Sequence, residues 1–111
     1  MNIKGFDRDL CCRGMQFEVG KEYRIENGDK PLKLCTDTVF HYCRSMKDVL
    51  EFYPMCEGCR YCEIEVLGHE VSDGQKCGSD HIRILREIKG NEFNSLFGIT
   101  EICPKLNLNL L

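Results

Sequence analysis

The chain has 111 residues, which suits one domain and leaves little room for a second. Charged residues make up 30% and hydrophobic residues 42%, a balance that excludes a disordered chain, and no run approaches the roughly 20 apolar residues of a membrane-spanning helix. The formal net charge of −3 offers no basic footprint for counterion-driven binding, so neither direct nucleic-acid contact nor membrane contact is expected.

The opening residues, Met1 to Asp7, carry no apolar run and no small-residue cleavage site, so they do not read as a signal peptide and a cytoplasmic setting is expected. Met15, Phe17 and Val19 alternate with Gln16 and Glu18, as on a half-buried strand, and Tyr23 and Ile25 continue after Gly20. Asn27-Gly28 reads as a hairpin turn joining Tyr23-Arg24-Ile25 to Leu32-Lys33-Leu34. Leu32 to Cys35 and Val39 to Cys43 read as short strands. Ser45 can cap a helix with Asp48 answering it; Met46, Val49, Leu50 and Tyr53 form its apolar stripe, and Pro54 stops it. Cys62, Ile64 and Val66 alternate with Glu63 and Glu65, the clearest half-buried strand, and Ile82 and Ile84 mark another beyond the Ser72-Asp73-Gly74 turn. Asn91 to Phe97 has helical spacing, with Phe93, Leu96 and Phe97 on one side and Gly98 at its end. The expected architecture is one small α+β domain: a mainly antiparallel sheet, one central helix and a short C-terminal helix. Residues 1–90 make its body, and residues 91–111 pack on it as helix and tail. Leu106, Leu108 and Leu110 alternate in a way that can add a strand to a neighbour, so monomer and homodimer both stay open.

Nine cysteines are many for this length, and the number is odd. Without a secretion signal they read as reduced thiols, either small buried hydrophobes or metal ligands. Cys56-Glu57-Gly58-Cys59-Arg60-Tyr61-Cys62 has the spacing of a zinc knuckle, in which a glycine-bearing turn aims two sulfurs at one point. Zinc wants four ligands, so Cys56, Cys59, Cys62 and Cys77 form the candidate set, with Cys43, His69 and Cys103 as substitutes. One structural zinc is the only cofactor expected. The run also opens like an iron–sulfur motif but lacks that motif's fourth cysteine.

His41 and Cys43 share a strand face, yet side chains two apart on a strand stand roughly 7 Å from one another, beyond hydrogen-bond reach. A half-buried histidine is therefore expected rather than a catalytic pair. No phosphate loop, nucleophile elbow or zinc-protease motif occurs, so no catalytic residue is assigned and binding is favoured over turnover. The acids Glu63, Glu65 and Glu70 are the candidate contacts for a protein partner.

Several runs carry a resemblance. They are Lys4-Gly5-Phe6-Asp7, Cys12-Arg13-Gly14-Met15-Gln16-Phe17-Glu18-Val19-Gly20-Lys21-Glu22-Tyr23, Phe40-His41-Tyr42-Cys43 and Arg60-Tyr61-Cys62-Glu63-Ile64-Glu65. Across roughly residues 3–88 they resemble an uncharacterised domain family of bacteriophage and prophage proteins. The resemblance implies a mobile-element origin and a host cytoplasm, and no activity. Cys12, Cys35, Cys43 and Cys62 match its pattern, whereas Cys11, Cys56, Cys59, Cys77 and Cys103 do not. A zinc site on Cys56 and Cys59 would then be particular to this chain.

A strand with Phe40-His41-Tyr42-Cys43, a helix ending in Tyr53 and a strand from Tyr61 are also similar to the middle of the ADP-ribosyltransferase fold, where such elements line the NAD cleft. Here Lys4-Gly5 stands where that family has His-Gly or Arg-Gly, and Glu101 is the only late candidate for its catalytic acid. The resemblances together imply a small phage accessory protein that binds a host or phage protein, as an inhibitor of a bacterial defence system such as an anti-CRISPR does. A divergent NAD-using transferase and a zinc-stabilised interaction module are the alternatives.

Overall fold

The computed structural model describes residues 1–97. The alternation of Cys62, Ile64 and Val66 forms strand β6 (Arg60–Val66), which pairs antiparallel with β1 (Asn2–Phe6) on one side and β9 (His81–Glu87) on the other. Beyond β1 follow β5 (Phe40–Cys43), β8 (Lys76–Ser79) and β7 (Glu70–Ser72); beyond β9 lies β4 (Glu22–Arg24). The seven strands run β4-β9-β6-β1-β5-β8-β7, and every registered pair is antiparallel. A two-stranded hairpin, β2 (Cys11–Cys12) with β3 (Met15–Gln16), stands apart from this sheet. No helix of the described residues is long and apolar enough to cross a membrane.

Strand pleating sends alternate side chains to opposite faces. On one face Ile3, Cys43, Tyr61 and Ile88 bury against Met46 and Val49 of helix α1 (Met46–Phe52) and Phe93 of helix α2 (Gly90–Phe97). On the other face Phe6, Phe40, Ile64, Ile82 and Ile84 bury against Leu10, Cys12 and Phe17 from the hairpin region. Phe17 is the hub there, with the rings of Tyr23, Phe6 and Phe40 centred 4.7, 5.3 and 5.9 Å away. Burying a phenylalanine contributes roughly 1.5–3 kcal/mol, so this aromatic group anchors the hairpin face.

The central helix starts as its capping residues dictate. The Ser45 hydroxyl accepts from the Asp48 amide at 3.2 Å and donates to the Asp48 carboxylate at 2.9 Å, and Pro54 follows the last turn.

Several expected strands are different. Leu32 to Cys35 forms no strand, and β4 pairs with β9 rather than across the Asn27-Gly28 turn. The intervening loop is held by side chains: Asn27 Nδ2 donates to the Thr38 carbonyl at 2.8 Å, and Thr38 Oγ1 accepts from the Lys33 amide at 2.9 Å. Those bonds replace a ladder. Of Met15, Phe17 and Val19 only Phe17 is buried, because the β2–β3 hairpin turns Met15 outward. In α2 Phe93 is buried while Leu96 is 40% exposed. Gly98 and the leucine-bearing tail lie outside the described residues.

Candidate functional site

The sheet opens at its centre. β1 and β6 register five residue pairs, whereas β1 and β5 register one, Ile3 with Cys43. Past that pair the strands part, and Lys4 fills the gap. Its side chain is 2% exposed; Nζ donates to the His41 carbonyl at 2.8 Å and lies 3.5 Å from Cys12 Sγ. The same nitrogen sits 5.6 and 5.5 Å from the ring centres of Phe6 and Phe17. Burial pulls the Lys4 amine below the ordinary lysine range and the Arg13 charge pushes the same way, while Cys12 opposes both.

Tyr53 closes the opening from the helix side. Its hydroxyl lies 2.8 Å from Cys12 Sγ, so Lys4, Cys12 and Tyr53 form a connected chain of polar groups. The ring rests on Gly5, where an added Cβ would stand 2.5 Å from Tyr53 Cδ2. Glycine is therefore required for α1 to end where it does. Burial, then the bond to Cys12, pushes the Tyr53 hydroxyl above the usual tyrosine range.

Arg13 is placed by the β2–β3 turn. Arg13 and Gly14 have φ of 53° and 80°, both in the left-handed region that a two-residue hairpin turn demands. Arginine at such a position is uncommon and points to a role for its side chain. Among the described residues the Arg13 side chain makes no hydrogen bond or ion pair.

Two hollows flank the opening, and Arg13 and His41 line both. The groove on the helix face encloses about 290 Å³. Ile3, Gly5, Val49, Phe52 and Tyr53 supply its apolar walls, and Arg13 and Lys76 its cations. Among the described residues no aspartate or glutamate lines it. The cavity on the hairpin face, about 350 Å³, is lined by Lys4, Cys12 and Phe17, with Asp37 as its one acid. His41 Nε2 accepts from the Cys35 amide at 2.8 Å, which places the ring's proton on Nδ1. Burial, then the charges of Lys4, Arg13 and Lys76, pulls His41 down to about 4.

The residues singled out in the sequence fall elsewhere. Cys56 is exposed in a single 3-10 turn (Met55–Glu57), and Cys59 follows it, half-buried. Cys62 and Cys77 are buried on β6 and β8, three strand spacings or about 14 Å apart across the sheet. Among the described residues no group of three or more His, Cys, Asp or Glu side chains is placed to hold a metal ion. Cys103 and Glu101 lie outside the described residues.

Glu63 and Glu65 pair with arginines of the next strand, each arginine shared with a second acid. Arg86 donates to Glu63 at 2.9 Å and to Glu92, and Arg83 donates to Glu65 at 3.2 Å and to Glu22. Glu70 is on the far edge strand, where it accepts from the Tyr42 hydroxyl and lies 3.7 Å from Arg44. The three acids thus form no common patch. His41 is half-buried and Cys43 buried, with no hydrogen bond between them. Sequence reasoning missed the roles of Lys4, Cys12 and Arg13; the only signal was an Arg-Gly pair inside a short alternating run, the mark of a tight hairpin.

Comparison with known proteins adds a family and no chemistry. Residues 1–96 match the family described as a domain of unknown function, DUF7666, and the chain belongs to it. No curated protein matches the chain, and no solved structure does.

Proposed function

We propose that this member of the DUF7666 family is a binding module, and that its working surface is the cationic groove over the opening between β1 and β5. The ligand is a protein partner that inserts an apolar side chain flanked by a carboxylate. One observation carries this reading: Arg13 is left unpaired, on a strained turn, beside Lys76 and an apolar floor with no acid in it. The alternative surface, Glu63 with Glu65, spends its charge on arginines of its own sheet. A phage or prophage setting, a host or phage protein as the target, and inhibition of a defence system are proposed on the sequence resemblance alone.

Tagged protein captured from a bacterial lysate tests the reading. Wild type and the Glu63→Lys/Glu65→Lys variant should retain one stoichiometric partner, and Arg13→Glu/Lys76→Glu should lose it. The opposite pattern, or no partner with wild type, overturns it.

A second reading, a divergent NAD-using transferase, is favoured by Tyr53, which ends α1 and lines the groove. The absence of a carboxylate among the described residues of that groove weighs against it. Incubation with NAD decides: turnover supports the enzyme, and intact NAD removes it. A zinc-stabilised module draws no support from the described cysteines, and metal analysis of the purified chain tests it.

A further inference from the structure

The polar chain behind the groove has chemistry that protein capture does not use. Lys4 is wholly enclosed, yet it makes no ion pair with an aspartate or glutamate among the described residues. Burial without an acidic counter-ion disfavours the ammonium and shifts the balance towards the free amine. Lys4 and the unpaired Arg13 both line a cavity of about 350 Å³. A nucleophilic amine and an uncommitted guanidinium around one hollow match a ligand with a carbonyl carbon at one end and an anion at the other.

We propose that Lys4 is a Schiff-base lysine, which captures a small carbonyl compound bearing a carboxylate or phosphate, with Arg13 holding the anion. The amine lone pair adds to the carbonyl carbon and the carbonyl π bond breaks onto oxygen. The proton lost by nitrogen passes to that oxygen, and the resulting carbinolamine loses water to leave a C=N bond. No oxidant or reductant takes part. Cys12 and Tyr53, joined at 2.8 Å with Cys12 3.5 Å from Nζ, form the relay that moves the proton. Burial lowers the proton affinity of Lys4 in the direction this requires, and Arg13 reinforces it. This inference shares Arg13 with the protein-capture reading but concerns the hairpin-face cavity, and an adduct on Lys4 is read separately from partner capture.

Reductive trapping tests it on the intact chain. Wild type is incubated at pH 7 with pyruvate or pyridoxal 5′-phosphate and cyanoborohydride, then digested and mapped by mass spectrometry. The expected adduct lies on the peptide carrying Lys4, at least about tenfold above that on exposed Lys21, Lys30 or Lys47, since exposed amines stay protonated at this pH. Arg13→Gln should cut trapping of pyruvate by a clearly larger factor than that of uncharged propanal, which reports only the effect of Arg13 on the amine and so isolates the anion contact. Lys4→Arg should show only the surface background. Adducts confined to the exposed lysines of the wild-type protein, or equal loss of pyruvate and propanal trapping in Arg13→Gln, overturn the proposal.

Discussion

Gly5→Ala examines the packing that shapes the groove. The new methyl carbon would lie 2.5, 2.6 and 2.9 Å from Cδ2, Cγ and Cβ of Tyr53, so the ring has to move. Overpacking of this kind costs about 1–3 kcal/mol. Displacing the ring also gives up the 2.8 Å contact between the Tyr53 hydroxyl and Cys12, worth about 1 kcal/mol. Alanine recovers roughly 0.5–1 kcal/mol through its smaller backbone entropy. The net expectation is a loss of about 1–3.5 kcal/mol, or roughly 4–15 °C in Tm for a domain of this size. Urea unfolding followed by circular dichroism gives the free energy, and a thermal scan gives Tm. In a Tyr53→Ala background the same substitution should cost at least about 1 kcal/mol less, because the ring it strikes is gone. A neutral Gly5→Ala, or an equal cost in both backgrounds, would refute the claim that Tyr53 rests on this glycine.

Other outcomes follow from the same geometry. Phe17→Ala removes the hub of four rings and should cost about 3–5 kcal/mol in urea unfolding; a loss under 1 kcal/mol would mean the hairpin region is not packed on the sheet. His41, at about 4 in the fold against an ordinary 6.5, binds fewer protons folded than unfolded between those values. Stability is therefore complete above about pH 6.5 and falls as pH drops towards 4. Thermal scans across that window should show this slope and His41→Gln should flatten it, while an unchanged slope would contradict the assignment. Burial pushes the Cys43 and Cys62 thiols up to about 11, so maleimide at pH 8 should label exposed Cys35 and Cys56 first and reach Cys43 and Cys62 only on unfolding. Labelling of Cys62 at the rate of Cys56 would place it outside the core.

The strands and helix whose residues repeat with a clear period were legible in the sequence. β6 alternates Cys62 and Ile64 with Glu63 and Glu65, and α1 carries both its cap at Ser45 and its stop at Pro54, so local chemistry and tertiary packing agree. β1 was opaque because its Lys4-Gly5 pair is a poor strand former, and only the sheet explains both residues. Lysine bridges the opening to the His41 carbonyl, and glycine makes room for Tyr53. The Leu32 to Cys35 segment misled in the opposite direction. Its leucines alternate, but the side-chain bonds of Asn27 and Thr38 hold it as a loop. The groove was invisible for the same reason as β1. Arg13, His41, Tyr53 and Lys76 come from four separate elements, and only long-range pairing assembles them.

The same non-local assembly bears on the acids. Glu63, Glu65 and Glu70 read as candidate contacts while the sequence is taken strand by strand; the cross-strand arginines of Glu63 and Glu65 appear only once β6 and β9 are paired, and Glu70 stands apart on β7 beside Tyr42 and Arg44. Cross-strand pairs of opposite charge stabilise a sheet modestly and hide its charge from a distant partner. Beside the opening, Arg13 makes no hydrogen bond or ion pair among the described residues, while Lys76 pairs with Asp73 at 3.4 Å.

Hydrogen–deuterium exchange of the captured complex against the free protein tests the central claim most directly, because it maps the partner's footprint without a substitution. Added protection should fall on residues 35–43 and 46–53, the segments that wall the groove, with residues 60–66 and 81–87 unchanged. Protection confined to 60–66 and 81–87, with the groove segments unaffected, would contradict it and return the working surface to the acids of β6.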